Sequence, residues 1–467
     1  MKFLQITAYF LFVSLFSHPF AVQAYPHGIE QLKLNQIAEK SLQYAISTQI
    51  TTTNHQHYVY GEFPTTIKST LVPVLAGVGK LFGEDQEASA FTTASVLNVL
   101  AQTYLDFPYL QKTSSPISEI PKVIQNGVQS FERYSAGETY NFYPPYVDKN
   151  GHKQRRPIDM KVLPFWFGFT NIPNDADTSS VALTAQLFNA KINHTNFKIS
   201  QKALNEFSRY RDIDRTPMFY NKSQNRSHTG AFMTWLYDEN NPNMPRFYFA
   251  GPDKGERIPF NRNDVDCIVN ANVLKMSSLS GQSNFSGTKE SCSMINDMIA
   301  RDEHASCGIY YPNTFNLAFA MASAEKAGNK CLTDDSKKLM IDKILSLQDG
   351  YTGAWTNDKN IWQDPILSTA FALSALIHYG NKNETRIYYA LLYGTHYLLK
   401  ELQTDNNIYK WEADNFFTAT AIARSLVMWR SEAYTNAIVS HVLLKMHEMY
   451  PQYNAHHYLK LDFNTEK

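Results

Sequence analysis

The sequence lacks most of the signatures that name a chemistry directly. It has only four cysteines in 467 residues. None forms a Cys-x-x-Cys pair or stands near a histidine at zinc-ligand spacing, so a structural zinc site is not expected. Charge is balanced, with 43 Lys and Arg against 43 Asp and Glu. A dedicated nucleic-acid binder needs a basic surplus, and this chain has none. There is no Gly-rich phosphate loop, no nucleophile elbow and no His-Glu-x-x-His, so neither a nucleotide cofactor nor a metalloprotease centre is expected. Beyond the N-terminus no stretch is apolar for about 18 residues, so the mature chain is expected to carry no membrane span.

The one long apolar run stands at the start. Lys2 supplies a positive charge, Phe3 to Phe16 an apolar stretch, and Val22-Gln23-Ala24 places small residues at −3 and −1 of a cleavage site. Residues 1–24 therefore read as a secretory signal peptide, and residues 25–467 as a secreted or periplasmic mature chain. Cys267, Cys292, Cys307 and Cys331 lie within one third of it, where export favours one or two disulfides.

Helix-forming segments are what the chain has in abundance. Six are apolar nearly all round and read as buried inner helices: 88–100, 175–188, 264–276, 313–328, 364–380 and 414–429. Amphipathic, charge-bearing segments alternate with them near 29–48, 118–134, 198–211, 291–302, 336–348, 384–402 and 432–449. A Gly-x-aromatic or Tyr-x-aromatic triplet precedes each inner segment: Gly61-Glu62-Phe63, Tyr140-Asn141-Phe142, Gly230-Ala231-Phe232, Gly308-Ile309-Tyr310, Gly353-Ala354-Trp355 and Tyr409-Lys410-Trp411. A helical hairpin cannot bury its apolar face alone, and a closed ring of hairpins can. The expected fold is all-α, a single α6/α6 toroid over 25–467 with inner and outer rings of helices.

Gln348 through Trp355 resembles the QW repeat of terpenoid cyclases, and Leu402-Gln403 before Trp411 is a weaker copy. Asp175-Ala176-Asp177-Thr178-Ser179 resembles the DxDD-T motif of class II terpene cyclases, with Thr178 where that family has a second adjacent Asp. The resemblance implies the toroid. It also implies that the middle Asp, here Asp177, would protonate an alkene or epoxide. Protein prenyltransferases share the toroid, but their zinc-site residues are not matched here.

Asp175, Asp177, Asp264 and Asp266 form two Asp-x-Asp pairs at the starts of successive inner segments. One acid per start suffices as a helix cap. Asp175 and Asp264 read as the caps, which leaves Asp177 and Asp266 surplus. Parallel inner helices would bring both pairs to one mouth of the ring. There, burial and mutual repulsion raise a carboxyl pKa, as a general acid requires. The same cluster could hold a divalent cation, or be a structural polar network. His228 is a candidate second acid–base or substrate contact, and Trp235, Tyr237, Trp355, Trp362, Trp411 and Phe416 are candidate cavity aromatics. Three functional readings remain open at this point. The first is a terpenoid-cyclase-like enzyme using Asp177 as general acid. The second is a secreted carbohydrate hydrolase or lyase acting on a glycan. The third is a non-catalytic toroid that binds a small molecule or partner.

If the signal-peptide reading holds, N-terminal sequencing of the exported protein should begin at Tyr25; recovery of exported chain still carrying Met1 would contradict it.

Overall fold

The computed structural model describes residues 29–52, 57–69, 83–112, 114–147, 150–157, 171–223, 226–241, 255–357, 364–419 and 427–461. The expected signal peptide lies outside them. Twelve helices alternate between two rings. The outer ones are α1 (Leu34–Ser47), α3 (Ile120–Gln129), α5 (Gln201–Arg209), α7 (Thr288–Ala300), α9 (Asp334–Ser346) and α11 (Thr385–Lys400). The inner ones are α2 (Ala90–Asp106), α4 (Ala176–Ile192), α6 (Cys267–Leu279), α8 (Asn316–Lys326), α10 (Pro365–Tyr379) and α12 (Glu432–Met449). Each inner helix packs on the next, and α12 packs back on α2, closing the ring. The protein is an all-α toroid, as the helix pattern implied.

Composition explains which helix goes where. Inner helices must be apolar on every side because they touch both the ring interior and the outer layer. In α4 the buried set runs Ala176, Asp177, Thr178, Ser179, Ser180, Val181, Ala182, Leu183, Thr184, Ala185. Outer helices bury one stripe: α5 buries Ala203, Leu204 and Phe207 and exposes its charges.

A repeated polar rivet joins five of the six aromatic turns to the inner helix that follows. The backbone N–H of Phe63 donates to Thr93 Oγ1 at 3.1 Å, Phe232 to Asn270 Oδ1 at 3.0 Å, Trp355 to Thr369 Oγ1 at 3.0 Å and Trp411 to Asn436 Oδ1 at 2.8 Å. Tyr140 N–H finds Ser179 Oγ at 2.9 Å in the same way. Glutamine adds a second rivet. Gln348 Nε2 donates to the carbonyls of Gly353 and Ala390 at 2.8 and 3.0 Å. Gln49 Nε2 repeats this to Gly61 and Val123, both at 2.9 Å. The turn needs glycine at Gly353, where φ is +77° and a Cβ would stand 2.5 Å from the Tyr393 carbonyl.

The sixth inner segment differs from expectation. Residues 414–429 contain two strands, Asn415–Thr418 and Val427–Arg430, and the inner helix is Glu432–Met449. The strands β1 (Thr65–Ser69), β2 (Gly83–Glu87), β3 (Asn415–Thr418) and β4 (Val427–Arg430) form an antiparallel sheet ordered β2-β1-β4-β3. Phe416, Phe417, Val427 and Trp429 suit a pleated surface as well as a helix, and β1 is a long-range partner that periodicity does not reveal. The charges that made 432–449 look like an outer helix cluster at its ends. Ala433 through Leu444 is buried without interruption. The sheet ties the chain's first turn to its last inner helix, over the N-terminal mouth of the inner ring.

All four cysteines pair, as Cys267–Cys307 and Cys292–Cys331, with Cα separations of 5.6 and 5.2 Å. Loops of 40 and 39 residues correspond to about 4 kcal/mol each in the chain-entropy picture.

Trp355 is fully buried, and its Nε1 donates to the Ile344 carbonyl at 2.7 Å. Trp355→Ala should therefore destabilise the protein by about 3–5 kcal/mol, read as a shift of the urea midpoint; a loss under about 1 kcal/mol would show that the repeat is not a structural rivet.

Candidate functional site

The inner helices surround a narrow cavity of about 90 Å³, to which all six contribute. Its wall includes Phe91 from α2, Val181 from α4, Asn272 and Lys275 from α6, Phe319 from α8, His378 from α10 and Tyr434 from α12. Tyr311, from the turn before α8, completes the end nearest the N-terminal mouth.

Asp177 sits behind that end, in the first turn of α4, and is 3% exposed. Its Oδ1 accepts from Asn272 Nδ2 at 2.8 Å, and its Oδ2 accepts from the Tyr311 hydroxyl. Both partners line the cavity. No cation pairs with Asp177 among the described residues. Burial first, and the nearby Asp175 carboxylate second, push its pKa well above the usual carboxylate range, against the opposing hydrogen bonds of Tyr311 and Asn272. Removal from water thus favours the neutral, protonated form of this carboxyl over the ionised one.

The other three acids do different work. Asp175 is the N-cap of α4, accepting from Thr178 N–H at 2.6 Å. Burial pushes its pKa up to about 7. Asp266, expected to be surplus, is the N-cap of α6. Its Oδ1 accepts from the N–H groups of Ile268 and Val269 at 2.7 and 3.1 Å, and its Oδ2 from those of Ile309 and Tyr310. Asp264, expected to be the cap, instead accepts from the hydroxyls of Thr234, Tyr220 and Tyr310. The two Asp-x-Asp pairs are therefore not equivalent: the cap is the first acid of one pair and the second of the other. The four are buried near one another, and among the described residues no group of three or more His, Cys, Asp or Glu could hold a metal ion.

The aromatic candidates fare unevenly. Trp355 and Trp411 are fully buried, and each indole Nε1 donates to an outer-helix carbonyl, Ile344 and Leu398 respectively. Neither belongs to the cavity wall. Trp235 donates through Nε1 to the Tyr310 hydroxyl at 3.1 Å, which places it one layer behind Asp264. His228 is exposed in a left-handed turn with φ +55°. Trp362 lies outside the described residues.

The rings that do gather round the acid end come from the mouth. Phe91 and Phe417 have centroids 4.8 Å apart, Phe91 and Phe416 5.8 Å, and Phe91 and Tyr311 6.1 Å. Phe416 also meets Tyr434 at 4.9 Å. Sequence reasoning missed Tyr311, Tyr434, Asn272 and Lys275. No local signal sets Asn272 and Lys275 apart, since the same helix also carries Asn270, Ser277 and Ser278.

Comparison with protein-family models finds no match, and comparison with curated proteins finds none either. Solved structures do match. The apo type II terpene cyclase MstE from Scytonema aligns with TM-score 0.53 and 12% identity, covering 89% of this chain and 99% of that one. A variant of it in complex with geranylgeranyl dihydroxybenzoate (substrate) aligns with TM-score 0.53 and 13% identity over the same shares. A protein from Actinoplanes aligns with TM-score 0.51 and 10% identity, covering 88% of this chain and 99% of that one. The chain has a terpenoid-cyclase-like fold.

The shifted acids have a consequence for stability. Native Asp175 binds its proton more tightly than the unfolded chain does, whose value is near 3.9. Its contribution is thus fully present below about pH 4 and is lost as pH rises toward about 7. Asp175→Asn keeps a cap acceptor and removes the ionisation, so its urea midpoint should fall less than that of the wild type between pH 4 and 7; parallel profiles would contradict the assignment.

Proposed function

We propose that this protein is an exported, acid-initiated cyclase of an isoprenoid-bearing small molecule, with Asp177 as the general acid. The observation that carries the reading is Asp177 itself. It is a buried carboxyl with no cation, held by Tyr311 and Asn272 at the end of a cavity that all six inner helices line. The terpenoid-cyclase-like fold and the Asp-x-Asp-Thr segment support it. Two disulfides support export to an oxidising compartment.

The chemistry follows from the surroundings. In its neutral form Asp177 carries an O–H. Transfer of that proton to a terminal alkene carbon uses the π pair for the new C–H bond and leaves a tertiary carbocation. The next alkene attacks that cation, and loss of a proton at the end restores a double bond. The product is an isomer of the substrate, with no oxidant or cofactor consumed. The faces of Phe91, Tyr311 and Tyr434 are suited to stabilise the cation. Tyr311 and Asn272 hold the acid and stabilise the carboxylate left behind. A glycan hydrolase would need a second carboxylate across the cavity. Asp177 itself stands behind one end of the wall, held by the wall residues Tyr311 and Asn272, and among the described residues no Asp or Glu forms the wall opposite it, so that reading is not adopted.

The test is incubation of purified protein with geranylgeranyl dihydroxybenzoate and simpler polyprenyl arenes, followed by mass-resolved chromatography. A new product of unchanged mass is expected, and Asp177→Asn should lower its formation by at least about 100-fold while remaining folded. Full activity in that variant would overturn the acid assignment.

A further inference from the structure

Lys275 stands out among the charged groups of the ring interior. It lies on α6, three residues after Asn272, and therefore about 4.5 Å further along the helix axis from the Asp177 contact. It is 9% exposed and forms part of the cavity wall. Its neighbours at this end of the ring are all compensated. Lys326 pairs with Asp106 at 2.6 Å. Lys445 pairs with Asp106 at 3.5 Å and with Glu448 at 2.9 Å. His378 stands 3.9 Å from Glu325. His441 is held neutral, its pKa pushed down to about 3 by burial and by Lys326, and its Nδ1 shares a hydrogen bond with Thr103. The Lys275 ammonium has no carboxylate and no hydrogen-bond acceptor among the described residues. Its one near partner is the Phe188 ring, whose centroid is 5.4 Å away.

A buried ammonium without a counter-charge is costly, and proteins rarely keep one on the wall of a cavity without a use for it. We infer that Lys275 forms an anion subsite, in which its ammonium binds a single carboxylate carried by the cavity's ligand. The chemical class follows from the charge available. One uncompensated cation among amide and hydroxyl groups such as Asn98, Gln102 and Ser323 matches one negative charge. A diphosphate would need several cations or a metal. The inference rests on the reading of this cavity as the ligand site. It adds that the ligand is an amphiphile, with an apolar part toward the aromatic end and a carboxylate at Lys275. Burial and the charge of Lys326 bring the Lys275 pKa down to about 8. At neutral pH the group is thus still mostly cationic, and an arriving carboxylate would raise that value again.

The test uses decanoate and decan-1-ol as probes, of equal chain length and different charge, with binding to the full mature chain measured by calorimetry at pH 7. The wild type is expected to prefer decanoate by about tenfold or more, as a charge-assisted hydrogen bond in a dry site would give. Lys275→Met should abolish the preference while retaining decan-1-ol binding. Lys275→Gln serves as the second variant should Lys275→Met fail to fold. Asp177→Asn should keep the preference, so loss of proton transfer and loss of anion binding are separately readable. Equal binding of both probes by the wild type, or a preference that survives both Lys275 variants, would overturn the subsite while leaving the cavity reading intact. Failure of both probes to bind would overturn both.

Discussion

A carboxyl taken out of water and denied a cation is the constraint on which this site depends. Asp177 is enclosed by α4, α6 and the turn before α8, and among the described residues its side-chain partners, Tyr311 and Asn272, are neutral. In such surroundings the ionised form is the expensive one. Asp175, two residues before it, adds repulsion while spending its own oxygen on a helix cap. The outcome is two acids in different settings, one capping a helix and one held only by the neutral groups of Tyr311 and Asn272. Asp266 makes the contrast clear. It is as deeply buried, and burial raises its pKa too, but four backbone N–H groups and the Arg226 charge work against that rise. Burial alone does not make an acid; what faces the two oxygens decides.

The ring provides that enclosure through a repeated device. In five of the six hairpins a Thr, Ser or Asn about one turn into the next inner helix binds the backbone of the aromatic turn. Five copies are present, at Thr93, Ser179, Asn270, Thr369 and Asn436. Because the rivets sit at the N-terminal ends of the inner helices, they fix those ends relative to one another. This is the mouth where Asp175, Asp177, Asp264 and Asp266 lie. The four-stranded sheet then closes the same mouth with Phe416, Phe417 and Trp429. The device that stabilises the toroid is therefore the one that dries the acid.

Much of this was legible in the residues, and the gaps have physical reasons. Apolar helices alternating with amphipathic ones revealed the toroid, because an inner helix must be apolar on both sides. The Gly-x-aromatic recurrence located the turns. The identity of the sixth inner helix was hidden, since Asn415–Thr418 and Val427–Arg430 become strands only through pairing with Thr65–Ser69, more than three hundred residues away. Which acid of each pair caps its helix was also hidden, because α6 starts two residues later relative to its pair than α4 does. Trp355 and Trp411 attract attention by size, yet their indole N–H groups are spent on outer-helix carbonyls. Tyr311 and Lys275 owe their importance to partners on other helices, or to the lack of them, and no local pattern encodes that.

The central claim is that Asp177 is a neutral acid at neutral pH. The most direct measurement is the infrared difference spectrum of the folded wild type minus Asp177→Asn in the carboxyl region. The account predicts a protonated carboxylic C=O band at neutral pH that is present in the wild type and missing from the variant. A difference spectrum that instead shows loss of an ionised carboxylate pair of bands would contradict it.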